Sequence, residues 1–266
     1  MAQLPRSATT RPVALVTGAS SGIGAAIARE AAADGHDLIL VARRRELLQA
    51  LAAELNAAGA EITVISADLG QPGAAAALMK IVEERGLAVD VLINAAGLGD
   101  IGRFDQSDQK TLAMMLQVNV VALTELTRLV LPQMVARRRG KIMQVASTAS
   151  FQPGPGMAVY YATKAYVLSF GRAIGYELRR TGVTVTTLCP GATETEFVGN
   201  KQGIAYFNGP IPLMSAAAVA RQGYRAMKAG RPVVVTGLIN RVMAFSTRFS
   251  PPWLLLSVAS YANSKS

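Results

Sequence analysis

The segment that most constrains this chain is the turn Thr17-Gly-Ala-Ser-Ser-Gly-Ile-Gly24, set between an apolar run and an alanine-rich stretch. Residues 13–16 before it read as a buried strand, and residues 23–33 after it as a helix that Asp34-Gly35 stops. Glycines at 18, 22 and 24 permit a tight turn and let the backbone approach a ligand closely. The helix start behind them offers free N–H groups and the positive end of a dipole, which suits a pyrophosphate. The order is Gly-x-x-x-Gly-x-Gly rather than Gly-x-Gly-x-x-Gly, so this reading rests on the strand–turn–helix context. A flexible turn without a ligand is the plainer alternative.

The alternation continues along the chain. Further strands are predicted at 38–41, 62–65, 89–93, 142–145, 183–188 and 233–235. Helices are predicted over 46–58, 74–84, about 109–136, 160–180 and 215–229. About seven strands, apolar on both faces and separated by helices, imply an α/β fold. The expected form is a Rossmann-like doubly wound parallel sheet with helices on both faces. No repeat, linker or composition break occurs before about residue 197. Residues 1–266 therefore read as one domain.

Composition excludes several function classes. With 51% hydrophobic and 17% charged residues the chain is globular, not disordered. The single Cys189 forms no internal disulfide and suits a reducing compartment. One His and one Cys cannot supply an N/S zinc site, so no metal is expected. A Ser-His-Asp triad would need His36. That residue lies in the turn before the second strand, at the sheet end opposite the ligand crevice, and reads as a surface residue. Cys189 itself reads as core. No stretch approaches the ~18–20 apolar residues that span a bilayer, and no signal segment is evident. The expected location is cytoplasmic.

The second predicted strand is followed by Arg43-Arg44-Arg45 with no acid at its end, while Asp37 sits at its start. An acid at that strand end would hold a ribose 2′-hydroxyl, whereas arginine accommodates a 2′-phosphate. Arg43 and Arg44 therefore favour NADP(H), with NAD(H) still possible. Solvated arginines are the alternative, although they suit a helix start poorly.

Tyr160 and Lys164 stand four apart on a predicted helix and share a face. An ammonium near a phenol lowers its pKa, so the pair can move a proton to or from an oxygen. Tyr161 lacks such a partner, because Ala165 stands four residues on. Together with the turn, this pair resembles the short-chain dehydrogenase/reductase superfamily in its soluble single-domain branch. The resemblance spans roughly residues 12–236, with every motif in order.

By that resemblance, Gly18, Ser20, Ser21, Gly22, Ile23 and Gly24 hold the cofactor phosphates. Asp68-Leu69 is similar to the family's adenine contact; an N-cap for a helix beginning near Pro72 is the other reading of Asp68. Asn94-Ala95-Ala96-Gly97 resembles the family's Asn-Asn-Ala-Gly, with Ala95 in place of its second Asn. Pro190-Gly191, with Thr193 and Thr195, resembles the segment around the nicotinamide carboxamide. Asn119, Ser147, Tyr160 and Lys164 fall where the family keeps its catalytic four. Ser147, 13 residues before Tyr160, is chosen from a run of hydroxyls that otherwise read as strand-end caps. Asn119 alone would pass for an ordinary exposed residue.

The implied roles are proton transfer by Tyr160 and a lowering of its pKa by Lys164, which also binds ribose. Ser147 would bind the substrate oxygen, and Asn119 would anchor a water. The implied activity is NADP(H)-dependent hydride transfer to or from a small-molecule carbonyl or secondary alcohol, by a homodimer or homotetramer. A non-enzymatic NADP-binding regulator on the same scaffold is the alternative, and the intact four residues speak against it.

Two segments remain. Residues 194–213 are glycine- and proline-rich, with Phe197, Ile204, Tyr206, Phe207, Ile211 and Leu213 among them. In the family this is the substrate lid, and its apolar content points to a hydrophobic or acyl substrate. Gly154-Pro-Gly-Met157 is expected to line the other wall. The net charge of +10, with a pI near 10.1, is unevenly spread. Residues 197–266 carry eight basic side chains and no acid. No nucleic-acid reader motif accompanies them. Residues 237–266 form a basic amphipathic extension with Trp253, suited to an anionic membrane surface, a neighbouring subunit or guidance of an anionic substrate.

Overall fold

A parallel sheet of seven strands, in the order β3-β2-β1-β4-β5-β6-β9, forms the centre of the molecule. The computed structural model describes residues 11–195 and 213–263. Its first half runs β1 (Val13–Thr17), α1 (Gly22–Ala33), β2 (Asp37–Ala42), α2 (Arg45–Ala57), β3 (Ile62–Ser66), α3 (Ala74–Glu84) and β4 (Val89–Asn94). Next come α4 (Gln109–Leu116), a π-helical segment (Gln117–Ala122), α5 (Leu123–Ala136) and β5 (Gly140–Val145). After these lie α6 (Ala158–Glu177), β6 (Val183–Cys189), β7 (Thr193–Glu194), β8 (Met214–Ser215), α7 (Ala216–Lys228) and β9 (Val233–Val235). Two helices close the described chain, α8 (Leu238–Ser246) and α9 (Pro252–Asn263).

The period-two pattern of the strands explains the layering. Val16, Leu38, Leu40, Val91 and Ile93 face one side, where α1, α2 and α7 cover them. Leu15, Ile39, Val41 and Leu92 face the other, under α3 and α5. Each such Leu, Ile or Val fully withdrawn from water contributes ~1.5–3 kcal/mol. Strand order reverses between β1 and β4, which opens a crevice at their C-terminal ends.

Several expectations need correction. His36 is buried, not a surface residue: Tyr224 packs edge-on against it at 6.4 Å and its hydroxyl lies 3.4 Å from Nδ1. It does sit at the start of β2, at the end of the sheet away from the crevice. The continuous helix expected over 109–136 is α-helical at both ends and π-helical in the middle. An 18-residue window within it reaches a mean hydropathy of 1.4, so by length and composition alone it could span a bilayer, contrary to the sequence reading. It packs instead against the sheet through Leu126, Val130 and Met134. The small parallel pair β7–β8 was not anticipated. Of the expected lid at 194–213, residues 196–212 lie outside the described residues.

Candidate active site

The crevice is a cleft of about 500 Å³ running from the glycine turn to the start of α6. Gly18 and Gly24 show why the turn needs glycine. Gly18 has φ +66°, and a Cβ there would lie 2.8 Å from the Ala96 backbone. A Cβ on Gly24 would lie 2.3 Å from the Gly18 carbonyl oxygen. The turn is thus folded on itself and against the loop after β4. Thr17 secures this contact, because its Oγ1 accepts hydrogen bonds from the Ala95 and Ala96 N–H groups at 3.1 Å each.

The cleft brings together Gly18, Ser20, Ser21, Gly22, Ile23, Gly24, Arg43, Arg44, Asp68, Leu69, Ala95 and Gly97 at its nucleotide end. Ser147, Tyr160, Lys164, Pro190, Gly191, Thr193 and Thr195 line the rest. Arg44 donates from Nη2 to Ser20 Oγ at 3.2 Å and to Ser21 Oγ at 2.9 Å. Its guanidinium is therefore held over the turn. Asp68 does not cap α3, whose N-cap is Gly73. Its Oδ1 accepts instead from the Gly70 N–H at 3.0 Å, and this closes the loop after β3.

Two expected site residues lie behind the cleft wall. Asn94, expected among the cofactor contacts, is fully buried. Its Nδ2 donates to Thr127 Oγ1 and Gln144 Oε1 at 3.1 Å each. These bonds tie β4, α5 and β5 together, while the buried Oδ1 finds no hydrogen-bond partner among the described residues. Asn119 is also buried. Its Oδ1 accepts from the Leu98 N–H and its Nδ2 donates to the Leu98 carbonyl, both at 2.8 Å. Nδ2 also donates to Thr163 Oγ1 at 3.0 Å. The π-helical segment turns this side chain inward. Asn119 thereby joins the loop after β4 to α6, and a Cβ on Gly97 would lie 3.5 Å from its Oδ1.

At the reacting end, Tyr160 is half-buried and lines the cleft. Enclosure pushes its phenol up to about 12, against a hydrogen bond to Ser147 that pulls it down. This corrects the expected lowering. Lys164 donates from Nζ to the Val145 carbonyl at 2.9 Å and stands 5.7 Å from the Tyr160 ring centroid. Burial holds its ammonium down at about 8, while the nearby Cys189 sulfur opposes that shift. Ser147 lines the cleft, and its Oγ accepts from the Ala149 N–H at 3.1 Å. Cys189 is fully buried with its thiol pushed up to about 12, so it is no nucleophile at neutral pH.

Of the wall expected at Gly154–Met157, Met157 lines the cleft, and sequence reading missed its neighbours Tyr161 and Asn263. Tyr161 lines the cleft and donates from its hydroxyl to Asn263 Oδ1 at 3.4 Å. Asn263 also lines it and donates from Nδ2 to the Pro155 carbonyl at 2.9 Å. The end of α9 thus closes over the Gly154–Met157 stretch, 102 residues from Tyr161 in the chain. No local pattern marks such a contact.

Comparison with known proteins agrees with this geometry. Residues 12–203 match the short chain dehydrogenase family. The oxidoreductase UcpA of Escherichia coli K12 is 35% identical over 188 residues, covering 70% of this chain and 71% of that protein. The very-long-chain 3-oxoacyl-CoA reductase of Anas platyrhynchos is 31% identical over 245 residues, covering 88% of this chain and 76% of that one. A short-chain dehydrogenase from Sphingobium yanoikuyae, solved in complex with NADPH, superposes with a TM-score of 0.80 at 34% identity. That match covers 90% of this chain and 93% of the other. The chain belongs to the short-chain dehydrogenase/reductase family. It is an oxidoreductase on an NAD(P)-binding Rossmann fold, acting between CH–OH and carbonyl groups.

Proposed function

We propose that this protein is an NADPH-dependent reductase of hydrophobic or acyl-bearing carbonyl compounds. The observation that carries the cofactor preference is Arg44, hydrogen-bonded over Ser20 and Ser21 beside Arg43, at a strand end without a carboxylate. Two guanidinium groups there suit a 2′-phosphate dianion. The NADPH-bound Sphingobium yanoikuyae relative supports the same choice. Leu98, Val118 and Met157 add apolar side chains to the cleft lining, in keeping with the acyl substrate in the name of the Anas platyrhynchos relative.

The nicotinamide, when bound, supplies the hydride. Tyr160 then gives its phenol proton to the carbonyl oxygen, and Ser147 hydrogen-bonds that oxygen as charge builds on it. A phenol held at about 12 keeps its proton at neutral pH, the form that reduction requires. Lys164 supplies positive charge behind the phenol and binds ribose hydroxyls. Asn119 acts by position, holding α6 against the loop after β4.

The chain reads as one catalytic domain with a lid at 194–213 and an extension at 237–266. Leu116, Val121, Leu129 and Tyr166 stand exposed along α4–α5 and α6, which suits a homodimer or homotetramer built on those helices. A cytoplasmic setting fits the single buried thiol.

The test is a panel of carbonyl substrates followed by nicotinamide absorbance with NADPH and NADH. Wild-type protein should prefer NADPH. In the Arg43→Ala/Arg44→Ala variant, kcat/KM for NADPH should fall roughly 10- to 100-fold while NADH is little changed. An unchanged ratio overturns the cofactor assignment.

A further inference from the structure

The two C-terminal helices leave an unusual surface. Twenty large hydrophobic side chains are exposed among the described residues, and 11 of them lie between Leu238 and Tyr261. Helix α8 buries only Asn240 and Ala244, with Arg241 Nε donating to the Val235 carbonyl at 2.9 Å, and α9 buries only Ala259 while Asn263 holds its end to Pro155 and Tyr161. Asn240 is anchored by its Nδ2, which donates to the Thr236 carbonyl at 2.8 Å. Everything large points outward: Ile239, Val242, Phe245, Phe249, Trp253 (67% exposed) and Leu256.

The same stretch contains no acid. Arg241 and Arg248 are exposed and form no ion pair among the described residues. Arg248 stacks at 5.6 Å over the Phe245 ring, which carries its charge at the edge of the apolar surface.

We infer that α8 and α9 dock this protein on an anionic lipid surface. Helix α9 (Pro-Trp-Leu-Leu-Leu-Ser-Val-Ala-Ser-Tyr-Ala-Asn) carries no charged residue, and its polar groups are two serines, the Tyr261 phenol and the terminal Asn263 amide that faces the cleft. A flat protein partner covers one side of such a helix, whereas lipid can cover all the sides that the body leaves exposed. Its 12 residues span about 18 Å, too short for a bilayer core of about 30 Å, so it lies in the interface rather than crossing. Trp253 and Tyr261 are the residue types that settle at headgroup depth. A second copy fits less well, because a two-fold contact on this face would set Arg241 and Arg248 against their own kind without a carboxylate between them. Docking would also place the cleft mouth at the bilayer, since Asn263 at the end of α9 lines the cleft. A lipophilic substrate would then enter from the lipid. This inference stands apart from the cofactor assignment.

Trp253 is the chain's only tryptophan, so the full-length protein carries its own probe. Vesicles rich in phosphatidylserine should shift its emission to the blue and carry the protein down on sedimentation. Pure phosphatidylcholine should do so much less. Arg248→Glu should weaken partitioning at least about fivefold. Trp253→Ser should weaken sedimentation as well, and both variants should keep the wild-type melting temperature. Unchanged emission with vesicles, or equal partitioning onto neutral ones, overturns the inference. So does a lipid-free blue shift that grows with protein concentration alongside a doubled mass, which would assign the face to a second copy.

Discussion

Helices α1 and α9 have the same length, 12 residues each, and both are predominantly apolar. Helix α1 buries six of its residues and α9 buries one. The difference lies in shape and charge. Helix α1 is built of alanine and glycine, so its backbone approaches the sheet closely enough for Gly24 to meet Gly18. Its only charged residues, Arg29 and Glu30, lie away from the buried side, and Arg29 pairs with Glu54 on α2. Helix α9 offers Trp253, Leu254 and Leu256 and finds no groove for them in its own chain. Hydrophobicity alone does not decide burial; the fit of a partner surface does.

Changes on the two sides should therefore have unequal consequences. The largest expected effect is at α1. Gly24→Ala forces a Cβ into the Gly18 carbonyl, and overpacking of about 1–3 kcal/mol should weaken NADPH binding roughly 10- to 100-fold in a fluorescence titration. Binding at the wild-type level would show that the turn is slack. At α9, Asn263→Ala removes hydrogen bonds to Pro155 and Tyr161 at the outer wall. The KM for a bulky carbonyl should rise about two- to tenfold with kcat nearly constant. A fall in kcat alone would mean that the outer wall does not act on substrate binding.

The smallest effect concerns His36. Burial holds its pKa below the ordinary 6.5, with Asp34 opposing. The unfolded chain then takes up a proton before the folded one does. Its contribution to stability is complete above about 6.5 and is lost as pH falls from there through the folded pKa. Thermal melting between pH 7 and 5 should show a steeper loss for wild type than for His36→Gln. Parallel curves would contradict the burial argument.

Much of this architecture was legible in the sequence. The strands were legible because each is a short apolar run bounded by turn residues. The glycine turn was legible because it stands between a predicted strand and a predicted helix. Spacing named Ser147, Tyr160 and Lys164, which the fold brings to one cleft, but it gave no sign of their electrostatics. Tyr160 and Lys164 shift apart from each other because both are enclosed, and enclosure is a property of the folded cleft. His36 read as a surface residue because Tyr224, which covers it, lies 188 residues away. Asn94 and Asn119 carry no local sign that their amides would turn to backbone and neighbouring helices rather than to a ligand. The role of Asn263 was hidden for the same reason. The basic, apolar C-terminal stretch was visible, but only the structure shows how little of it the body covers.

The proposed function turns on proton transfer by Tyr160 with NADPH bound in the cleft. Its most direct test is Tyr160→Phe, with NADPH binding and carbonyl turnover measured on the same sample. The variant should bind NADPH as wild type does and lose about 100- to 10,000-fold in kcat. Turnover at the wild-type rate with intact binding would contradict the assignment.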